Sequence, residues 1–302
     1  MNAQEWLAHG NGVPADVVVL GAPISKASIS PSNAWSTPPA VRAALARFPT
    51  WDAEHDTDLG DLTVRDLGDV EGDRDDPDAR DAHARIQAAV TEAARRGRCV
   101  AVIGGDNSLT RPAMHGLVAA HGGDWGLLTL DAHHDCRPLD GGPRNGTPVR
   151  ELIEAGLPGE RVAQVGIHPF GNAREQAEWA HARHVHVYPV AQVRKAGIDT
   201  TLATALSALV RSGASRIYVD VDVDVVDRAF APACPASMPG GLLPAELLRA
   251  VHTLGRNPRV AGIDITEVDA EADVAGVTVR LAAAALLAFC SGVAGRPKSR
   301  PL

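Results

Sequence analysis

Short apolar, β-branched segments alternate with amphipathic segments along the chain, and this alternation is the feature that most restricts the fold. Repeated strand–helix–strand units build a mainly parallel sheet that helices cover on both faces. The sequence therefore predicts an α/β protein. The predicted strands are residues 16–21, 99–105, 126–130, 162–167, 185–188, 216–222 and 260–265.

Segments with helical periodicity lie between these strands. Proline opens the first of them, and a long Ala- and Arg-rich segment carries acids early and bases late, as the helix dipole favours. No linker or internal repeat divides the 302 residues, so we expect one domain over residues 1–302. The predicted helices are residues 38–48, 77–98, 147–155, 173–182, 200–211, 244–254 and 274–289.

Composition and charge exclude several classes of protein. Hydrophobic residues make up 45% of the chain and charged residues 22%, which is enough for a normal core. The net charge of −8 disfavours nucleic-acid binding. We find no apolar run of bilayer length and no secretory signal, so we expect a cytoplasmic protein without a membrane segment. Four scattered cysteines without a CxxC pair are predicted to be reduced.

Parallel sheets bind ligands at the carboxyl ends of their strands, and three predicted strands end in unusual residues. Residues 104–108 (GGDNS) form a glycine-rich turn without the lysine of a P-loop. Residues 131–135 (DAHHD) follow a buried strand, where alternation predicts that Asp131, His133 and Asp135 project together. A solvated polar loop is the alternative, but burying these groups without a cation is costly.

The third strand end is the acidic segment 220–227 (DVDVDVVD). Alternation predicts that Asp220, Asp222 and Asp224 share one face of a buried strand. Stacked carboxylates inside a protein need a neutralising charge, and hard oxygen ligands with one imidazole suit Mn²⁺ or Mg²⁺ better than Zn²⁺. A solvated acidic edge strand is the alternative interpretation.

These motifs resemble those of the ureohydrolase superfamily, which includes arginase, agmatinase and formimidoylglutamase. The resemblance extends to Ala231-Pro232, residues 239–241 (PGG) and residues 262–268 (GIDITEV). The resemblance is collinear from about residue 16 to residue 288, and DAHxD followed by DxDxxD is highly specific. It implies an arginase-like three-layer α-β-α sandwich with a mainly parallel sheet. It also implies a homo-oligomer, a trimer or a hexamer, and two Mn²⁺ ions in the active site.

The resemblance also implies a role for each motif residue. Asp131 and Asp222 would bridge both metals, Asp135 would bind the first metal, and His133 and Asp224 would complete the second. Two metal ions lower the pKa of a shared water, so hydroxide is available near neutral pH. Asp135 would also handle the proton when the tetrahedral intermediate collapses.

Of two further positions, Asn107 departs from the family pattern and Glu267 matches it. Asn107 stands where the family has a histidine ligand of the first metal, so the metal near Asn107 is predicted to be held weakly. Glu267 occupies the family's late glutamate position and would pair with the cationic amidine or guanidine of the substrate.

The loop after DAHxD indicates the substrate. Agmatinases carry a histidine before its Gly-Thr pair, whereas formimidoylglutamases tolerate a small polar residue, and this chain has Asn145. The predicted reaction is hydrolysis of N-formimidoyl-L-glutamate to L-glutamate and formamide. Arg137, Arg144 and Asn145 are candidate contacts for the acidic substrate, although both arginines are equally consistent with a solvated surface.

Two alternatives stay open at this point. The first is a guanidino hydrolase (agmatinase, guanidinobutyrase, arginase or N-hydroxyarginine amidinohydrolase) that releases urea or a urea derivative. The second is a metal-poor, non-catalytic homologue that acts as a binding subunit, for which Asn107 is the only support. Structural roles are expected for His134, Cys136 and the histidines 181, 184 and 186, and Asp220 has no certain role.

Overall fold

The computed structural model describes residues 1–10 and 14–296, and its centre is a sheet of eight parallel strands. The strand order is β4-β1-β5-β10-β9-β6-β7-β8. These strands are β1 (Ala15–Gly21), β4 (Val64–Asp69), β5 (Gly97–Ile103), β6 (Trp125–Leu130), β7 (Val162–Ile167), β8 (His186–Pro189), β9 (Arg216–Asp222) and β10 (Val260–Thr266). A separate antiparallel hairpin joins β2 (Trp51–Asp52) to β3 (Thr57–Asp58).

Helices cover both faces of the sheet and confirm the three-layer α-β-α sandwich. They are α1 (Ala3–His9), α2 (Thr37–Ala44), α3 (Arg80–Ala94), α4 (Thr110–His121), α5 (Pro148–Glu154), α6 (Arg174–Ala182), α7 (Val190–Ala196), α8 (Ile198–Arg211), α9 (Pro244–Arg256) and α10 (Val277–Ala294). Because side chains alternate along a strand, β1 sends Val17 and Val19 into one core and Val18 and Leu20 into the other. The first core includes α9 and α10, and the second includes α3 and α4.

Each predicted strand is present within a few residues of its expected bounds, but the edge strand β4 was not predicted. Its sequence, VRDLGD, is polar and mostly partly exposed, because an edge strand has only one neighbour and leaves much of its surface in water. Helices α1, α4 and α7 were also not predicted. A single domain over residues 1–302 stays a prediction.

The expectation that no apolar run reaches bilayer length is wrong for α10. This helix is long and apolar enough to cross a membrane by length and composition alone. It is nevertheless mostly buried within the protein, where it packs against α9 and α2. A helix that packs against other elements over most of its circumference is apolar for that reason.

Candidate metal centre and active site

Four neighbouring strands in the middle of the sheet, β5, β10, β9 and β6, bring the predicted site residues together at their carboxyl ends. Asp222 is the last residue of β9, and the others follow their strands within a few residues. The set that gathers at this edge is Asn107 after β5, Asp131, His133 and Asp135 after β6, Asp222 and Asp224 at β9, and Glu267 after β10. The edge lies where parallel α/β sheets usually bind ligands.

Two side-chain turns, rather than strand alternation, bring the candidate metal ligands together. The backbone N–H of His133 donates to Asp131 Oδ1 at 2.6 Å, and that of Asp224 donates to Asp222 Oδ1 at 2.8 Å. Strands β6 and β9 end at Leu130 and Asp222, so His133 and Asp224 lie beyond them. Strand alternation is therefore wrong as the reason that these side chains converge. Each aspartate instead accepts a hydrogen bond from the backbone N–H two residues later, and this bond forms a turn.

Three of these residues form a group compact enough to hold one ion. His133 Nδ1 lies 2.7 Å from Asp224 Oδ2 and 3.5 Å from Asp131 Oδ1. One donor atom from each of the three residues lies within 4.8 Å of the others. Asp131 and Asp224 are buried, while part of the His133 side chain faces the opening.

Asn107 is buried beside Asp135 and its amide has a defined set of partners. Its Nδ2 donates to Asp135 Oδ2 at 2.7 Å. Its Oδ1 accepts hydrogen bonds from the hydroxyls of Thr110 and Thr266, each at 3.0 Å. The amide nitrogen therefore faces the Asp135 carboxylate, and the oxygen faces two threonines, of which Thr266 lies in the 262–268 motif and Thr110 in no motif.

Glu267 is held at the same edge by two donors on one oxygen. The backbone N–H of Asn107 reaches Glu267 Oε1 at 2.7 Å, and Asn145 Nδ2 reaches it at 3.0 Å. Glu267 (φ 65°) and Asp135 (φ 51°) both have left-handed backbone conformations, which cost about 1–3 kcal/mol each for residues other than glycine. Such strain persists only where surrounding contacts impose it, and it is common at active sites.

Burial dominates the electrostatics of the carboxylates. It raises the pKa of Asp131 to about 7, with a further contribution from the Asp224 carboxylate, and it raises the pKa of Glu267 to about 8, helped by Asp106. The pKa values of Asp135 and Asp222 are also well above the usual range, because both are buried among other carboxylates.

The pair formed by Asp224 and His133 shows the opposite behaviour. Burial opposes both charges, but the imidazolium of His133 lowers the pKa of Asp224. The two neighbouring carboxylates, Asp224 and Asp131, raise the pKa of His133 to about 12. The protonated imidazole of His133 is thus the only cationic side chain in the group of Asp131, His133 and Asp224, and its charge balances one of the two carboxylates.

The donor set fits a divalent cation. Asp131 Oδ2 is buried and has no hydrogen-bond partner among residues 1–10 and 14–296. An unpaired buried carboxylate oxygen is costly unless a cation compensates it. Several carboxylates with one imidazole are the ligands that favour Mn²⁺ or Mg²⁺, so the residues present match the predicted metal.

The cavity above this group contains the predicted substrate contacts only in part. Arg137 and Asn145 line it together with Asp135, His133 and Glu267. Arg144 lines a neighbouring cavity with Lys26 and Arg80 instead. Gln176, at the start of α6, also lines the active-site cavity, and no local sequence signal distinguished it from other helix-surface residues.

A second row of polar residues lies beneath the metal residues. Asp220 pairs in register with Thr129 and Asp264, and neither of its oxygens accepts a hydrogen bond within the described part of the chain. Burial and the Asp264 carboxylate raise the pKa of Asp220, which favours its protonated form. Asp264 Oδ2 also accepts a hydrogen bond from Tyr218 at 2.7 Å.

The histidines that were expected to have structural roles lie outside the active-site cavity. His134 Nδ1 lies 2.7 Å from Gln164 Oε1 in a buried position. His186 Nε2 lies 3.1 Å from the carbonyl oxygen of Glu160. Neither His134 nor the histidines 181, 184 and 186 line the active-site cavity.

Comparison with known proteins agrees with this architecture. The model of the arginase family matches residues 15–291. A formimidoylglutamase of Halalkalibacterium halodurans is 40% identical over 278 residues, which cover 91% of this chain and 86% of that protein. The crystal structure of a Bacillus subtilis formimidoylglutamase is 31% identical, with a TM-score of 0.91 over 99% of this chain and 93% of that one. A formiminoglutamase of Trypanosoma cruzi, crystallised with Mn²⁺, shares the fold at 24% identity, with a TM-score of 0.89 over 98% of this chain and 99% of that one.

Proposed function

The chain belongs to the arginase family, a family of hydrolases that act on C–N bonds, and on that basis we propose that it hydrolyses N-formimidoyl-L-glutamate to L-glutamate and formamide. The observation that carries the substrate is the contact between Asn145 and Glu267, at the loop position where agmatinases have a histidine. The 40% identity to a formimidoylglutamase over most of the chain supports the same substrate.

We propose Mn²⁺ as the metal, at two positions. Asp131 and Asp222 would contribute ligands to both positions, Asp135 to the first, and His133 and Asp224 to the second. When bound, the metal would lower the pKa of a water so that hydroxide is available at neutral pH. The buried oxygen of Asp131 that lacks a partner supports this assignment.

Glu267 would bind the formimidoyl group of the substrate. Two N–H donors already occupy Oε1, so Oε2 is the oxygen available to the substrate in the cavity that Glu267 lines. A cationic amidine can donate an N–H to this oxygen in a charge-assisted hydrogen bond, which orients the amidine in the cavity. Its positive charge would also favour the ionised form of Glu267, against the burial that raises the pKa of this residue to about 8.

Asp135 would carry the proton. It lines the same cavity as Glu267, and Asn107 Nδ2 holds its Oδ2 in a single orientation. Burial raises the pKa of Asp135 well above the usual range, which favours proton uptake. The protonated carboxyl group would then deliver that proton to the leaving nitrogen.

Arg137 and Asn145 would contact the glutamate portion of the substrate. A Cβ atom at Gly146 would lie 2.8 Å from Arg137 Cδ, so the absence of a side chain at Gly146 allows Arg137 to lie against the loop and line the cavity. A guanidinium group binds carboxylates through two parallel hydrogen bonds. Arg144, which lines the adjacent cavity, would act at longer range on the anionic substrate.

The first metal position would be the weaker one because of Asn107. In its present orientation the amide oxygen is engaged by Thr110 and Thr266. Rotating the amide by half a turn would let Nδ2 donate to both hydroxyls and present Oδ1 to the metal. Even so, an amide oxygen is a weaker donor to Mn²⁺ than an imidazole nitrogen.

A substrate panel tests the proposed function. The purified enzyme with Mn²⁺ is given N-formimidoyl-L-glutamate, agmatine, guanidinobutyrate, arginine and N-hydroxyarginine, and formamide, glutamate and urea are measured. We expect glutamate and formamide from the first substrate and no urea from the others. Urea release from a guanidino substrate without turnover of formimidoylglutamate would overturn the proposal. Absence of any turnover, together with little bound manganese, would favour the binding-subunit alternative.

Arg137→Lys provides a matched variant for the substrate assignment. It keeps the positive charge but loses the paired hydrogen-bond geometry, so we expect a higher KM for formimidoylglutamate with little change in kcat. Arg144→Lys is the control at the neighbouring cavity and should change KM less.

We further propose that the protein is cytoplasmic and forms a homo-oligomer of three or six subunits. Light scattering on the purified protein tests the number of subunits.

A further inference from the structure

A second group of potential metal ligands lies outside the active site. Asp52 and His55 on the β2–β3 hairpin face His252 on α9, and one donor atom from each lies within 4.8 Å of the others. The three side chains line a cavity of about 390 Å³ between the hairpin and helices α9 and α10. This cavity shares no lining residue with the active-site cavity.

His252 is the residue that most needs an explanation. It is only 6% exposed, it lines the cavity, and no residue in the described part of the chain makes a hydrogen bond to its ring nitrogens. Burial lowers the pKa of His252, and the neighbouring His55 adds to this effect. A neutral imidazole has a lone pair available for a metal ion at physiological pH.

His55 is positioned by a carboxylate that is itself anchored. His55 Nδ1 lies 2.9 Å from Asp52 Oδ2, and the same oxygen accepts a hydrogen bond from Ser291 Oγ at 2.5 Å. Ser291 belongs to α10, so this contact ties the hairpin to the helix layer. The contact also holds Asp52 Oδ2 and His55 Nδ1, two potential ligand atoms, close together.

We propose that Asp52, His55 and His252 bind a divalent transition-metal ion of the zinc type, with water from the cavity as a fourth ligand. Two imidazoles and one carboxylate favour Zn²⁺ over Mn²⁺, in contrast to the carboxylate-rich active site. The ion would take the place of the proton in the hydrogen bond between His55 Nδ1 and Asp52 Oδ2.

The required rearrangement falls on the more exposed side of the site. Tetrahedral Zn²⁺ with bonds of about 2.1 Å places its ligand atoms about 3.4 Å apart. The rings of His55 and His252 now stack with centroids 3.4 Å apart and planes 16° from parallel, so one ring must turn for both lone pairs to converge. The His55 side chain is 30% exposed on a short hairpin and can turn, whereas His252 is enclosed in the helix layer.

Zinc titration of the whole protein tests this site. Protein saturated with Mn²⁺ is titrated with Zn²⁺, bound zinc and manganese are both counted, and thermal unfolding is followed. We expect one zinc per chain beyond any that displaces manganese, and a higher unfolding temperature because the ion links the hairpin to α9. His55→Ala, on the exposed hairpin, should lose this zinc or bind it at least about tenfold more weakly. It should keep the manganese content and hydrolase activity of the wild type.

His121→Ala is the matched control, since His121 lies at the end of α4 and is not part of the cluster. It should bind zinc like the wild type. His252→Ala should behave as His55→Ala does, and its retained activity would show that the variant folds. Equal zinc binding by the wild type and His55→Ala, or no zinc beyond displaced manganese, would overturn the site. Neither result depends on which substrate the enzyme hydrolyses.

Discussion

At the scale of single residues, the active site is defined by groups whose environment differs strongly from water. Asp131, Asp222 and Glu267 are nearly inaccessible, yet each is a carboxylate. Glu267 and Asp135 also have left-handed backbone conformations, which the surrounding hydrogen bonds must maintain. These residues reduce stability locally, so their retention is best explained by binding and catalysis.

Asn107→His should strengthen metal binding at the first position. An imidazole nitrogen is a better donor to Mn²⁺ than an amide, and changes even beyond the direct ligands alter metal affinity by about 10–100-fold. We expect the Mn²⁺ concentration for half-maximal activity of dialysed enzyme to fall at least about tenfold. Asn257→His, at the end of α9, is the control and should leave it unchanged. Dialysed wild-type enzyme that retains two manganese ions and full activity would show that Asn107 is an adequate ligand.

Glu267→Gln should impair substrate binding without removing the metal. Glutamine keeps an oxygen to accept from Asn107 N and Asn145 Nδ2 but loses the charge that pairs with the amidinium. A charge-assisted hydrogen bond contributes about 1.5–3 kcal/mol, so kcat/KM should fall by about 10–100-fold. Steady-state kinetics and manganese analysis measure both effects. Unchanged kcat/KM would exclude the proposed role of Glu267.

At the scale of secondary-structure elements, close packing between helices supports the layers around the sheet. Helices α9 and α10 approach most closely at Gly255 and Gly292. A Cβ at Gly255 would lie 2.4 Å from the carbonyl oxygen of Phe289, and one at Gly292 would lie 2.2 Å from that of His252. Neither glycine has a positive φ, so close approach rather than backbone conformation explains them.

Gly255→Ala should therefore destabilise the protein despite the higher helix propensity of alanine. The clash is with a backbone carbonyl, so the cost lies toward the upper end of the range of about 1–3 kcal/mol for overpacking and exceeds the gain of at most about 1 kcal/mol that alanine has over glycine in a helix. We expect the unfolding temperature, measured by calorimetry, to fall by at least about 2 °C. Gly295→Ala, at the end of α10, meets its nearest atom at 3.4 Å and should not lower it. A stabilised Gly255→Ala variant would contradict the close contact.

At the scale of the whole molecule, a group of buried carboxylates beneath the active-site opening needs a counter-charge. The net charge of −8 includes the buried carboxylates beneath the active-site opening. In the metal-free protein, burial raises the pKa values of Asp131 and Glu267 above those of an unfolded chain. The folded, metal-free state therefore holds protons that the unfolded state has released at neutral pH.

The stability of the metal-free protein should fall as the pH rises from about 5 to about 8. A carboxyl group whose pKa is higher in the folded than in the unfolded state stabilises the fold fully below its unfolded pKa of about 4. This stabilisation is lost as the pH rises to the folded pKa, which is about 7 for Asp131 and about 8 for Glu267. The raised pKa of His133 acts in the same direction. Added Mn²⁺ should raise the unfolding temperature more at pH 8 than at pH 6. Thermal unfolding with a chelator and with Mn²⁺ measures this, and a metal-free protein that becomes more stable between these pH values would contradict it.

The sequence by itself determined the fold class and most of the candidate site. Alternating apolar and amphipathic segments predict parallel βαβ units because each pattern has its own period. The DAHHD and DVDVDVVD motifs identify ligand-forming residues because such groups are too costly to bury without a cation. The polar edge strand β4 was missed, because local polarity does not show whether a segment has a neighbouring strand. Helix α10 was predicted, but the length of its apolar run was underestimated.

Only the tertiary structure decided how those residues meet. Asn107 and Glu267 are 160 positions apart, and they form a hydrogen bond because β5 and β10 are neighbours in the sheet. The same adjacency places Thr266 on the Asn107 amide oxygen. The cluster at His252 likewise depends on a hairpin packed on distant helices. Strand order and helix packing are set by the sum of many long-range contacts, and no local pattern in the chain encodes such a contact by itself.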